Sequence, residues 1–225
     1  MEITLVRHGE PEWVRRGLQV DDPPLTSRGT EQARRLAGRL GHETFDDVYV
    51  SPLVRARQTA APVLEAMGRA EVVAPWLEEI RNPIWHGTPA EKVDEVYRTD
   101  RARLPHERWE GLPGGEAVRD FVDRIRSDGT EFLSELGIKR SHADLPVWRV
   151  DGPARRVLFV AHAGTNSVIT CLLLGLEPTP WEWDRFVMGH ASVTRLEALP
   201  VGGGFTFSLT QLSDVEHLAS DMRTR

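Results

Sequence analysis

The run Ile3-Thr4-Leu5-Val6 stops abruptly at Arg7-His8-Gly9-Glu10, so a strand-like segment delivers an arginine and a histidine, beside a glycine, at its carboxyl end. The same design occurs twice more. Phe45-Asp46-Asp47-Val48-Tyr49-Val50 leads into Ser51-Pro52-Leu53-Val54-Arg55, and Val157-Leu158-Phe159-Val160-Ala161 leads into His162-Ala163-Gly164. Three strands that each end in a cationic or potentially cationic side chain can pool those groups only if they lie together in one sheet. In α/β sheets functional groups gather at the carboxyl ends of parallel strands, and the strand-loop-helix order favours that architecture.

The intervening segments supply the helices. Thr26 reads as an N-cap, with Ala33, Leu36 and Leu40 on the apolar face of a helix ending near Gly41. A second helix is expected over about 53–67, and 71–74 reads as a short strand before Pro75. Pro83, Pro89, Pro105 and Pro113 break the pattern over 81–113, leaving short helical turns around 90–98 in what reads as a lid. Val118, Phe121, Val122, Ile125, Phe132 and Leu136 give an amphipathic helix over 116–136. A helix over about 165–174 should end at Gly175. Strands at 194–199 and 205–212 read as a hairpin at the sheet edge. The expectation is one domain over 1–225 with a three-layer α/β/α architecture. It has a mostly parallel central sheet, an antiparallel edge strand, a lid-like insertion at about 81–115 and a surface loop at about 137–155.

Charge and composition exclude several classes. A net charge of −6 argues against general nucleic-acid binding, which needs a broad basic surface. No apolar stretch reaches the roughly 18 residues that suggest a membrane span. The chain enters its first strand at Glu2 without a basic leader and apolar run, so a cytoplasmic location is expected. Cys171, the single cysteine, lies in an apolar run and reads as a buried helix residue. His42, His86, His106, His142, His190 and His217 show no compact ligand spacing, so neither metal nor cofactor is expected. Gly202-Gly203-Gly204 lacks the lysine and helix of a phosphate-binding loop and reads as a hairpin turn.

Arg7-His8-Gly9, the Ser-Pro-Leu-x-Arg-Ala-x-Gln-Thr-Ala stretch from Ser51 to Ala60, and the strand ending in His162 together resemble the histidine phosphatase superfamily, or phosphoglycerate mutase-like family. Pro24-Leu25-Thr26 with Gly29 and Gln32-Ala33, Leu77-Glu78-Glu79-Ile80, and Gly114-Gly115-Glu116 add to the resemblance. The motifs follow the family's order to about Thr194, and the short form with Gly114-Gly115-Glu116 is similar to its phosphatase branch.

A neutral imidazole can attack phosphorus and hold it covalently; that role falls to His8, which the resemblance implies is transiently phosphorylated. Arg7, Arg55 and a protonated His162 are the natural donors to the equatorial oxygens, assisted by backbone N–H groups near Ala163. The family's Leu-x-Glu pattern implies Glu79 as the acid, with Glu78 as the competing choice. Arg15, Arg16 and Arg57 are expected to face solvent. Val14 stands where the family usually places a phosphate-contacting asparagine, and Pro11, Trp85-His86-Gly87, Ala117 and Ala163 also depart from its pattern.

The expected activity is hydrolysis of a small phosphorylated metabolite through phosphohistidine, without metal. The alternatives are mutase-type phosphoryl transfer and a weakly catalytic phospho-ligand or protein-binding module. No nucleic-acid or membrane partner is expected, and the edge hairpin could support a homodimer.

Overall fold

The computed structural model describes residues 1–225. Nine strands are present: β1 Glu2–Arg7, β2 Val14–Arg15, β3 Leu18–Gln19, β4 Asp47–Val50, β5 Ile138–Arg140, β6 Trp148–Val150, β7 Arg156–Ala161, β8 Val193–Val201 and β9 Gly204–Asp214. The helices are α1 Ser27–Leu40, α2 Val54–Met67, α3 Ala90–Arg101, α4 Val118–Glu135, α5 Ala163–Leu174 and the short α6 Glu182–Arg185. Seven strands form one sheet in the order β4-β7-β1-β8-β9-β6-β5, while β2 and β3 pair separately. β7 lies parallel to both β4 and β1, and the remaining neighbours are antiparallel. The α/β architecture is the expected one, and its antiparallel side extends through β8, β9, β6 and β5.

Strand alternation builds two cores. Ile3 and Leu5 of β1 join Val157, Phe159 and Ala161 of β7 beneath α4 and α5. Val6, Leu158 and Val160 face the other way and pack with α1 and α2. Helices therefore cover both faces of the sheet. Thr26 Oγ1 accepts the Gly29 N–H at 2.9 Å, as an N-cap should, and α1 buries Ala33, Leu36, Ala37 and Leu40. Burying each of the two leucines contributes roughly 1.5–3 kcal/mol. A Cβ on Gly29 would lie 2.1 Å from the Glu10 carbonyl oxygen, so only glycine lets α1 lie this close to the loop after His8. Cys171 is buried on α5, where its thiol donates to Glu182 Oε2 at 2.8 Å; burial and that carboxylate push the thiol up to about 12.

Three expectations are corrected. Residues 71–74 form no strand and touch the sheet only through a Val50–Val73 bridge. Residues 137–155 contain the β5–β6 hairpin rather than a loop alone. Trp148, almost wholly buried, anchors it by pairing with Phe205, packing edge-on against Phe207 and donating its indole N–H to the Leu173 carbonyl at 3.1 Å. This hairpin extends the sheet beyond β8–β9, which is consequently internal, with β5 at the edge.

The expected lid segment contains α3 and a 3₁₀ turn at Pro105–Glu110. It is stitched to the early loop by backbone bonds from Gln19 N–H to Thr88 O (2.8 Å), Gly87 N–H to Gln19 O (3.0 Å) and Ala90 N–H to Gly17 O (3.0 Å). No helix is long and apolar enough to cross a membrane.

Candidate active site

The strand order β4-β7-β1 brings the segments following Val50, Ala161 and Arg7 to one end of the sheet. His8 is buried, and its Nδ1 lies 2.7 Å from the Gly9 carbonyl oxygen. A carbonyl can only accept, so Nδ1 carries the proton and Nε2 keeps its lone pair. The loop is braced from below: Gly9 N–H donates to Thr59 Oγ1 at 2.8 Å, and that hydroxyl donates to the Arg55 carbonyl at 2.7 Å.

The fully buried His162 ring sits 5.1 Å from the His8 ring between centroids. Its Nε2 is 2.7 Å from Ser51 Oγ, which accepts the Leu53 N–H at 3.4 Å and has its own proton to give to Nε2. With the Ser51 hydroxyl donating to Nε2, the proton of neutral His162 lies on Nδ1, a buried atom with no hydrogen-bond partner in the protein.

Arg7 donates through Nη1 to the Met188 carbonyl at 2.6 Å, and its Nη2 lies 3.0 Å from His190 Nε2. Arg55, buried in the first turn of α2, packs 4.9 Å from the Trp13 ring centre and reaches Asp22 Oδ1 at 3.4 Å. The Nε atoms of both arginines are buried without acceptors. Burial, followed by the charge of Arg55, holds both imidazoles well below the ordinary histidine value, with His162 and Arg7 adding to the effect at His8 and Arg7 at His162. Both rings are therefore neutral near pH 7. Burial beside two guanidiniums disfavours the imidazolium form expected at His162. Burial lowers Arg7 to about 10, with Glu79 opposing and Arg55 assisting, so it stays cationic.

Glu79 follows a 3₁₀ turn at Pro75–Leu77 whose Leu77 is fully buried. Its Oε2 accepts the Gly164 N–H at 2.8 Å and its Oε1 accepts the Ile80 N–H at 3.0 Å. A Cβ on Gly164 would stand 2.5 Å from Oε1, so glycine at the start of α5 is what admits the carboxylate. Glu78 instead pairs with Arg81 at 2.7 Å. Arg7, Glu79 and Ala163 line a cavity of about 620 Å³ that extends beneath the lid; Arg55, Glu79 and Gln19 line an adjoining one of about 230 Å³. The five principal sequence candidates thus converge, and Ala163 lies with them at the first position of α5, where a helix leaves its N–H outside the ladder.

Val14 is 44% exposed on β2, and Arg15, Arg16 and Arg57 face solvent as expected. Ser51 and Thr59 were not singled out individually, although both lie inside the Ser51–Ala60 motif. His190 was missed as a site residue: its ring is 5.6 Å from that of His8, yet 183 positions separate it from Arg7 and no local pattern marks it. No group of three or more histidine, cysteine or acidic side chains is placed to hold a metal ion.

The model of the histidine phosphatase superfamily (branch 1) matches residues 3–208. The chain belongs to that superfamily. The chain is 32% identical over 180 residues to Phosphoserine phosphatase 1 of Hydrogenobacter thermophilus, covering 79% of this chain and 78% of the relative. It is 26% identical over 224 residues to the "Probable phosphoglycerate mutase" of Escherichia coli, covering 97% and 95% of the two chains. Among solved structures, a mycobacterial glucosyl-3-phosphoglycerate phosphatase superposes with a TM-score of 0.70 at 25% identity, covering 95% of this chain and 99% of the other.

Proposed function

We propose that this histidine phosphatase is a metal-independent phosphomonoesterase that hydrolyses a small phosphorylated metabolite through a phosphohistidine at His8. One observation carries the reading: a neutral imidazole with a free Nε2 lone pair stands among Arg7, Arg55 and His162, whose buried N–H groups lack acceptors. A phosphoryl group supplies the acceptors those donors lack. Its dianionic charge also offsets the repulsion between the two guanidiniums.

In the first step His8 Nε2 forms a bond to phosphorus as the bond to the leaving oxygen breaks, and protonated Glu79 gives that oxygen its proton. In the second, water attacks the phosphohistidine and passes a proton to the Glu79 carboxylate; the P–N bond breaks, its electrons return to Nε2 and inorganic phosphate departs. Arg7, Arg55 and the Nδ1–H of neutral His162 stabilise the equatorial oxygens in both steps. His162 needs no positive charge to donate.

The test follows phosphate release from an aryl phosphate together with recovery of an acid-labile phosphoenzyme. Wild type should give both and folded His8→Ala neither; undiminished hydrolysis by His8→Ala would rule out the mechanism. A parallel assay of phosphoglycerate isomerisation separates hydrolysis from mutase transfer. Isomerisation outpacing phosphate release would assign the second activity.

A further inference from the structure

The lid carries a third arginine that, like Arg7 and Arg55, has a buried Nε without an acceptor. Arg108, in the 3₁₀ turn at Pro105–Glu110, has a side chain only 15% exposed, and its Nε is buried without a hydrogen-bond acceptor. The nearest carboxylate oxygens, Asp100 Oδ2 at 3.8 Å and Asp184 Oδ2 at 3.9 Å, are too distant for hydrogen bonds. Its neighbour Arg103 shows what a structural arginine looks like in the same segment. Arg103 donates to Asp100, to the Gly111 carbonyl and to the Glu107 carbonyl. Asp100 is thus already engaged by Arg103, and Asp184 is 62% exposed to competing water. Arg108 lines the same cavity as Arg7 and Glu79, with its guanidinium 5.9 Å from the Trp181 ring centre.

That cavity, at about 620 Å³, falls within the range of sites that enclose whole small-molecule ligands and far exceeds the roughly 30 Å³ that a water occupies in the liquid. Tyr97, Trp183 and Val187 give it apolar wall, and of the arginines lining its lid side, Arg81, Arg101 and Arg108, only Arg108 has a buried Nε without an acceptor. We infer that Arg108 binds a second anionic group, carboxylate or phosphoryl, on the part of the substrate that leaves, so that the preferred substrates are phosphomonoesters with two anionic ends. This rests on the phosphatase reading. A guanidinium suits such a group because its planar fork can meet two oxygens of one carboxylate or phosphoryl group. The contacts to Asp100 and Asp184, at 3.8 and 3.9 Å, leave its N–H groups available.

The experiment compares kcat/KM for phosphooxyalkanoates of increasing chain length with the values for their primary amides, and adds alkanediol bisphosphates as the phosphoryl arm. At the best length the anionic substrate should exceed its amide by about tenfold or more, the effect of one charge-assisted hydrogen bond. Whichever arm shows the preference identifies the anion. Arg108→Gln should bring the ratio close to unity, and Arg108→Lys should restore part of it. Absence of a preference at every length, or equal losses on acid and amide in Arg108→Gln, would overturn the assignment while leaving the phosphatase reading intact. No phosphate release from any of these esters by the wild type would instead remove the phosphatase reading, and this inference with it.

Discussion

Gly164→Ala should separate the placement of the proposed acid from the stability of the fold. The added Cβ would lie 2.5 Å from Glu79 Oε1 and 3.1 Å from both Cδ and Oε2. Ordinary contact begins near 3.4 Å, so the carboxylate must retreat by close to an ångström. It sits at the end of a flexible side chain and can retreat without moving backbone. Alanine is moreover the better helix former, by about 0.8–1.0 kcal/mol in a helix interior, so folding should survive. A displacement of this size in catalytic geometry can cost up to about 100-fold, and the Gly164 N–H bond that aims Oε2 is stretched as well.

The expected loss in kcat/KM on an alkyl phosphate is about 10- to 100-fold, or roughly 1.4–2.7 kcal/mol in the barrier. On a nitrophenyl phosphate, whose leaving oxygen needs little protonation, the loss should be several times smaller. Steady-state assays of the two esters, with thermal melts of both proteins, measure all of this. Wild-type kcat/KM on the alkyl ester, or identical losses on both, would refute the placement of Glu79 as the acid.

Other outcomes follow from the same geometry. His190→Ala removes one of the two groups anchoring Arg7 and should lower kcat/KM roughly tenfold, about one hydrogen bond's worth; an unchanged value would mean that the Met188 carbonyl suffices. His8, His162 and His190 are all held below the ordinary histidine value by burial first, His190 at about 3. In the window below about pH 6.5 the unfolded chain binds protons that these buried rings refuse, so each group removes up to about 1.4 kcal/mol of stability per pH unit as pH falls. Urea melts from pH 7 to 5 should show that decline, and a flat or rising midpoint would contradict it. Gly29→Ala should cost about 1–3 kcal/mol because its Cβ would meet Glu10 backbone on a packed face, whereas Gly38→Ala, with nothing within 4 Å, should gain about 0.5–1 kcal/mol. Urea midpoints moving in opposite directions would verify the pair.

The parts of the molecule legible in the sequence were those written locally. Apolar runs ending at Arg7, Val50 and Ala161 mark the parallel strands, and Thr26 marks a helix start, because period and capping chemistry act over a few residues. Residues 137–155 were misread because their pattern is polar and their order depends on Trp148 meeting Phe205 and Phe207 far along the chain. Val72 and Val73 suggested a strand, but both remain substantially exposed and only one bridge joins that segment to the sheet. At the site, neighbouring glutamates have equal chemistry, and only the approach of Gly164 separates Glu79 from Glu78. His190 is supplied by tertiary structure alone. The low basicity of His162 is not legible in the sequence for a related reason: burial and two converging guanidiniums are properties of the assembled site.

The backbone stitching of Gly17 and Gln19 to Gly87, Thr88 and Ala90 makes the early loop and the lid one mechanical body. The early loop carries the Trp13 and Asp22 contacts to Arg55, while the lid forms much of the wall of the larger cavity. A lid grafted alone from a relative would therefore arrive without its matching cradle at the phosphoryl end. Transplanting selectivity among these enzymes calls for exchanging both segments as a unit.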